Sequence, residues 1–133
     1  MKRTLDIAAV VLATLMLLGF AVLSVRGIID PQSAAARFGT EVNDAAGALY
    51  YRVYLSRNLV LSAAGLILLL MRQWRPLAIL ITVTAALPVF DMSVLSLNGV
   101  TPPFVHPVAL ALIVVTAALL WRRAAPRTKT SAG

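Results

Sequence analysis

Ionisable and hydrogen-bonding side chains interrupt an apolar segment near the middle of the chain. The stretch YYRVYLSRNLVLS, residues 50–62, carries three tyrosines, two arginines and an asparagine, and the apolar residues AAGLILLLM follow it. A guanidinium that is shielded from water binds a carboxylate, a phosphate or a carbonyl group, and a neighbouring phenol can orient an oxygen atom. These residue types indicate a polar ligand site or an acid/base site inside a hydrophobic segment.

The polar residues of this stretch form one stripe if the segment is helical. At about 3.6 residues per turn, Tyr50, Tyr54, Arg57 and Asn58 fall within about 100° of one another. Arg52 lies on another face and nearer the start of the segment, where its long stem can reach lipid headgroups. Arg57 lies near the middle, where a charge costs at least about 2.5–3.5 kcal/mol to insert, so we expect it to face inward and to have a partner.

Asp91 is the expected partner of Arg57. It is the one acidic residue inside an apolar segment at a comparable depth, in ALPVFDMSVLSLNG. Pro88 removes a backbone N–H one turn before Asp91, and such a residue commonly accompanies a bend or a polar site. His106, the single histidine, stands in VTPPFVHPVAL at the start of the last apolar segment, where it can reach the same depth.

We predict that these side chains converge on one cavity that opens at the outer face. The predicted ligand-binding residues are Tyr50, Tyr54, Arg57, Asn58, Asp91, His106 and, near the mouth, Glu41. If the protein is an enzyme, the predicted catalytic residues are Asp91, His106, Arg57 and Tyr54. Structural roles remain open as well: an ion pair that fixes helix register, an interfacial tyrosine belt and a histidine that begins a helix.

The composition predicts a membrane protein of one domain. The chain has 133 residues, of which 60% are hydrophobic and 13% are charged, whereas soluble domains are about half apolar and about a quarter charged. It contains no cysteine, which excludes disulfides and thiolate chemistry. One histidine and one nearby carboxylate leave too few ligands for a metal ion, so we expect no metal and no other cofactor.

Four apolar segments are each about long enough to cross the ~30 Å hydrocarbon core as a helix. They lie at about residues 7–25, 45–71, 77–97 and 104–121. The predicted fold is therefore an all-α membrane protein, a single four-transmembrane-helix bundle over residues 1–122.

The segments outside these helices carry two further signals. In DPQSAAARFG an aspartate can cap a helix, a proline suits its first turn and a glycine can end it, which predicts a short extra helix over residues 31–38 in the first outer loop. The tail, residues 123–133, is polar and basic and lacks apolar periodicity, which predicts disorder.

The basic residues predict the orientation in the membrane. Clusters of lysine and arginine precede the first helix, separate the second from the third, and follow the fourth. Their members are Lys2, Arg3, Arg72, Arg75, Arg122, Arg123, Arg127 and Lys129. Because such clusters stay in the cytoplasm, we expect a bacterial inner membrane protein with both termini and the tail cytoplasmic. The same clusters account for the net charge of +7, so nucleic acid is not an expected partner.

The chain resembles an uncharacterised family of small four-helix bacterial membrane proteins related to the DoxX-like proteins. The resemblance is carried by three pieces of sequence, YLSRNLVLSAAGLILLL, ALPVFDMSVL and His106. The resemblance covers most of residues 30–122. In that family an acidic residue often follows the arginine, whereas here Asn58 occupies that position. The resemblance implies a fold more than a reaction, and this departure leaves Asp91 as the sole intramembrane carboxylate.

Three functions agree with these observations. The first is an integral membrane protein, embedded in the lipid bilayer, whose outward-facing cavity binds a small lipophilic molecule. The second is a cofactor-free isomerase, epoxide hydrolase or cyclase for a lipophilic terpenoid- or polyketide-like substrate, with Asp91 or His106 as proton donor. The third is a non-catalytic subunit of a membrane complex, with another copy of the chain or a different membrane protein as partner.

Overall fold

The computed structural model describes residues 2–125, and over that range it consists of helices and the segments that connect them. The helices are α1 (Lys2–Ile29), α2 (Pro31–Phe38), α3 (Ala45–Leu70), α4 (Trp74–Thr84), α5 (Ala86–Leu97) and α6 (Val105–Ala124). Four of the resulting segments, α1, α3, α6 and the consecutive pair α4–α5, are long and apolar enough to cross a membrane. The predicted all-α class with four membrane-length helices is confirmed.

The ends of the helices differ from the predicted ones by a few residues. α1 begins before residue 7 and continues past residue 25, because no helix-breaking residue occurs before Pro31. α6 continues to Ala124, so Arg123, the first residue of the predicted tail, belongs to its last turn. Residues 126–133, the greater part of the predicted disordered tail, lie outside the described residues.

Local sequence explains where α2 begins and ends. Asp30 accepts a hydrogen bond from the backbone N–H of Ser33 at 3.1 Å, and Pro31 occupies the first helical position. The hydrogen bonds from Ser33 hold the pKa of the Asp30 carboxyl below its usual range. Gly39 ends the helix with a φ of 101°, a left-handed conformation that other residues rarely adopt.

The third membrane-length segment is not a continuous helix. It is interrupted at Ala85, between α4 and α5. Pro88 has no N–H to donate to the carbonyl of Thr84, and its ring crowds that carbonyl. The hydroxyls of Thr82 and Thr84 donate to carbonyls in the preceding turn at 2.7 and 2.8 Å, which also favours a bend.

The two ends of the bundle are packed differently. The main core cluster lies toward the end where α3 turns into α4, and Leu77, Ile81 and Leu120 are its largest fully buried members. At the opposite end, which we call the α2 end, α2 lies across the bundle. α3 packs against α1, α2 and α4, whereas α5 packs chiefly against α6 and α4. The divergence of α5 from α3 leaves space inside the α2 end.

α1, α2 and α3 meet closely at Gly27. A Cβ atom at this position would overlap the side chain of Leu55 on α3 and would lie 2.9 Å from the Cβ of Ala34 on α2. Small residues at such crossings let membrane helices approach one another, which strengthens their dispersion contacts. Gly27 therefore holds α2 against the two long helices.

We expect Gly27→Ala to lower the free energy of unfolding by about 1–3 kcal/mol, because the added methyl group overpacks this junction. Gly19→Ala on the same helix is the matched control, since a Cβ there meets no atom within 4 Å. It should be neutral or stabilising by up to about 1 kcal/mol through helix propensity. Thermal unfolding of both variants in detergent measures the difference, and equal melting temperatures would contradict the close junction.

Candidate functional site

A cavity of about 270 Å³ lies beneath α2, between α1, α3, α5 and α6. Its walls are mainly apolar and include Met16, Leu17 and Phe20 of α1 and Ile113 of α6. Polar side chains from several helices reach the same space; they are Ser24, Arg26, Arg37, Tyr51, Tyr54, Asn58, Ser62, Thr84, Asp91 and His106. An apolar cavity with a few converging polar groups is the usual form of a small-molecule site.

Asp91 and His106 face each other across the cavity. Oδ2 of Asp91 lies 4.0 Å from Nδ1 of His106, and the histidine side chain is only 6% exposed. Nε2 of His106 lies 3.0 Å from the backbone carbonyl oxygen of Phe38. A carbonyl oxygen can only accept, so Nε2 carries the proton of this hydrogen bond. Nδ1 is then the ring atom that can exchange a proton with Asp91.

An aromatic cluster, Phe38, Tyr51, Tyr54 and His106, covers this pair. The ring centroid of Phe38 lies 4.7 Å from that of His106, 5.9 Å from Tyr54 and 6.4 Å from Tyr51, each in an edge-to-face arrangement. The centroids of Tyr51 and Tyr54 lie 5.7 Å apart. The side chain that ends α2 is thus a roof over the polar residues of the cavity.

The structure does not bring Arg57 close to Asp91, so the predicted ion pair between them is wrong. Arg57 is exposed and does not line the cavity, and within residues 2–125 the group at ion-pair distance from Asp91 is His106. Tyr54 and Leu61, one turn to either side of Arg57, do line the cavity. One edge of the polar stripe, with Tyr54 and Asn58, therefore faces the inside of the bundle. Arg57 lies on the other edge, which faces outward.

The other predicted site residues divide in the same way. Tyr54, Asn58, Asp91 and His106 all line the cavity. Tyr50 is 78% exposed, and Glu41 is exposed in the segment between α2 and α3, where its carboxylate accepts from the side-chain amide of Asn43 at 3.3 Å. Neither Tyr50 nor Glu41 lines the cavity. Tyr50 lies away from the inward face of α3, which is centred on the buried residues Leu55 and Ser62.

Several residues of the site were not predicted from the sequence. Tyr51 lies three residues before Tyr54, a spacing that places both on one helical face and could have indicated it. Arg26, Arg37 and Phe38 reach the cavity because α2 folds back over the bundle. No local sequence signal predicts that contact.

Metal-binding side chains do not cluster in the part of the chain that the structure describes. Over residues 2–125 no group of three or more histidine, cysteine, aspartate or glutamate side chains is placed to hold a metal ion. The chemistry available in the cavity is that of the Asp91 carboxyl, the His106 imidazole, the guanidinium groups of Arg26 and Arg37, two phenols, and amide and hydroxyl groups.

Comparison with known proteins yields one match. A family model described as a domain of unknown function, DUF4267, matches residues 17–120. The matched range contains every polar residue of the cavity named above. No curated protein and no solved structure matches the chain.

The geometry predicts that Asp91 is energetically coupled to His106 and not to Arg57. In a double-mutant cycle, Asp91→Asn with His106→Gln should show an interaction on the order of 0.5–3 kcal/mol, because each single variant leaves a polar partner unmatched. Asp91→Asn with Arg57→Met should be additive within about 0.5 kcal/mol. Both cycles are measured from unfolding free energies in detergent. Additivity in the first cycle, or coupling in the second, would contradict the observed arrangement.

Proposed function

The chain belongs to the DUF4267 family, and we propose that it is a membrane protein whose cavity binds one small lipophilic molecule. The observation that carries this proposal is the cavity of about 270 Å³ beneath α2, which is apolar along its walls and polar near Asp91 and His106. Ligand cavities typically begin near this size, at about 300 Å³. The volume favours a single small ligand.

The lining supports a lipophilic ligand that carries at least one polar group. Each Å² of apolar ligand surface that leaves water or headgroups for such walls contributes roughly 25 cal/mol. The polar groups would hydrogen-bond an oxygen of the ligand, and Tyr54, Asn58 and Asp91 are the residues we propose for this contact. Phe38 and the other aromatic residues would exclude water from it.

We propose that the α2 end faces the outside of a bacterial inner membrane and that both termini are cytoplasmic. The support is the distribution of basic residues along the helices. Arg3, Arg72, Arg75, Arg122 and Arg123 all lie at the end opposite α2. The excess of arginine and lysine on short connections marks the cytoplasmic side. The cavity then opens outward.

A relation of this family to the DoxX-like proteins is a further proposal. It is supported by the motifs YLSRNLVLS and ALPVFDMSVL, which supply the cavity-lining parts of α3 and α5. A role as a subunit of a membrane complex, or a homo-oligomer, is supported by Arg57, an exposed charge near the middle of a membrane-length helix.

The second candidate function is acid/base catalysis, and the Asp91–His106 pair favours it. The Phe38 carbonyl directs the protonated nitrogen of His106 away from Asp91, so Nδ1 can take a proton from the carboxyl or return one. Asp91 would donate a proton to an epoxide oxygen, an alkene or a carbonyl, and Tyr54 would orient that group. This supports an isomerase, epoxide hydrolase or cyclase acting on a lipophilic terpenoid- or polyketide-like substrate.

Binding is tested by filling the cavity. Ala109→Phe should weaken binding of any lipophilic ligand by at least about tenfold, because Ala109 lines the cavity and the larger ring occupies part of it. Ala111→Phe, on an exposed face of the same helix, is the matched control and should bind as the parent does. The measurement is thermal stabilisation of the purified protein by a panel of epoxides, quinones and isoprenoid acids.

Equal stabilisation of the parent and Ala109→Phe would place the binding outside this cavity. If a bound compound is also converted, the protein is an enzyme, and Asp91→Asn should abolish the conversion while binding persists, because the asparagine amide can still hydrogen-bond the ligand. Conversion that survives Asp91→Asn would exclude this carboxyl as the proton donor.

Reporter fusions test the orientation. A fusion after Gly133 and one within residues 72–76 should report the cytoplasm, and a fusion at Gly99 should report the periplasm, because the basic clusters resist translocation. A second fusion, made directly after Phe38 in the connection between α2 and α3, should also report the periplasm. A periplasmic carboxyl terminus would reverse the orientation and turn the cavity inward.

A further inference from the structure

Two arginines line the cavity at the α2 end. Arg26 lies in the last turn of α1 and Arg37 in the last turn of α2. Both reach the cavity, although they belong to different helices, because α2 packs back against α1 at Gly27 and Ala34. Both are exposed at their outer side, so they form a rim between the cavity and the surface.

Neither arginine forms an ion pair with a carboxylate in the part of the chain that the structure describes, although the Asp30 carboxylate lies near enough to Arg37 for their charges to interact. Within residues 2–125 no acidic oxygen lies within 4.0 Å of either guanidinium. Nε of Arg37 donates to the backbone carbonyl of Ser33 at 3.2 Å, which uses one of its five N–H groups. The one carboxylate that lines the cavity, Asp91, faces His106. The rim is therefore positively charged and has donors to spare.

The size of the cavity limits what can be bound beside this rim. Its volume of about 270 Å³ lies just below the range of about 300–1,000 Å³ that is typical of small-molecule pockets. This size favours a ligand with one short chain over a phospholipid with two acyl chains. The walls deeper in the bundle are apolar, with Leu17, Phe20 and Ile113 among them.

We infer that the ligand is a single-chain amphiphile with an oxyanion head, a carboxylate or a phosphate monoester, held by Arg26 and Arg37 with its chain in the apolar part of the cavity. The guanidinium fork matches both kinds of oxyanion, and such charge-assisted hydrogen bonds are about twice as strong as neutral ones. This inference rests on the proposed binding function and adds the class of ligand and its direction in the cavity.

The test compares ligands that share a chain and differ in the head. Radiolabelled decanoate, methyl decanoate, decyl phosphate and decylamine are partitioned between phosphatidylcholine nanodiscs with and without the full-length protein. We expect the parent to bind decanoate and decyl phosphate at least about tenfold more tightly than the ester or the amine. The double variant Arg26→Gln/Arg37→Gln should lose this preference and keep its affinity for the ester within about twofold.

The matched control is Arg57→Gln/Arg75→Gln, which removes the same charge from two exposed arginines that do not line the cavity. It should keep the preference for the oxyanions. A parent that binds the ester as tightly as decanoate, or a control that loses the preference equally, would overturn this inference and leave the binding function standing. A parent that binds none of the four probes would overturn both.

Discussion

The hydrogen bond between Nε2 of His106 and the carbonyl oxygen of Phe38 connects the parts of the molecule on which the cavity depends. α2 ends at Phe38, so this carbonyl has no partner within its own helix, and in an apolar environment it needs one. His106 satisfies it from α6, across 68 residues of sequence. The same bond orients the imidazole ring, and thereby directs Nδ1 toward Asp91 on α5 and sets the edge-to-face contact with Phe38.

The close-packed core and the cavity lie at opposite ends of the bundle. At the end opposite α2, Nη1 of Arg123 donates to the carbonyl oxygen of Asp6 at 2.9 Å, and its guanidinium lies 4.0 Å from the ring centre of Trp74. These contacts join the start of α1 to the start of α4 and the end of α6 around a close-packed core. At the α2 end, Pro88 interrupts the third segment and α5 diverges from α3. A cavity there can vary in shape at little cost to the packed end.

The features of the fold that could be predicted from the sequence follow from hydrophobicity, helix-capping residues and helix-breaking residues. Long apolar segments predicted the four membrane-length helices, and Pro88 predicted a bend. Tyr54, Asn58, Asp91 and His106 could be grouped because charges and amides inside such segments seek the bundle interior. The prediction that Arg57 faces the bundle interior was wrong. A helical stripe shows which residues share a face, but the position of the neighbouring helices decides which edge of that face lies inside the bundle. Arg26, Arg37 and Phe38 depend on how α2 folds back, a contact between distant residues that no local pattern specifies.

The acceptor for His106 is a main-chain atom, and this has an evolutionary consequence. A backbone carbonyl is present whatever residue occupies position 38, so the link between α2 and α6 survives substitution of the phenylalanine. The side chain at this position is free to diverge, and each replacement changes the height and shape of the roof over Asp91. Substitutions at this one position would thus change the shape of the cavity, while the helix that carries it stays docked.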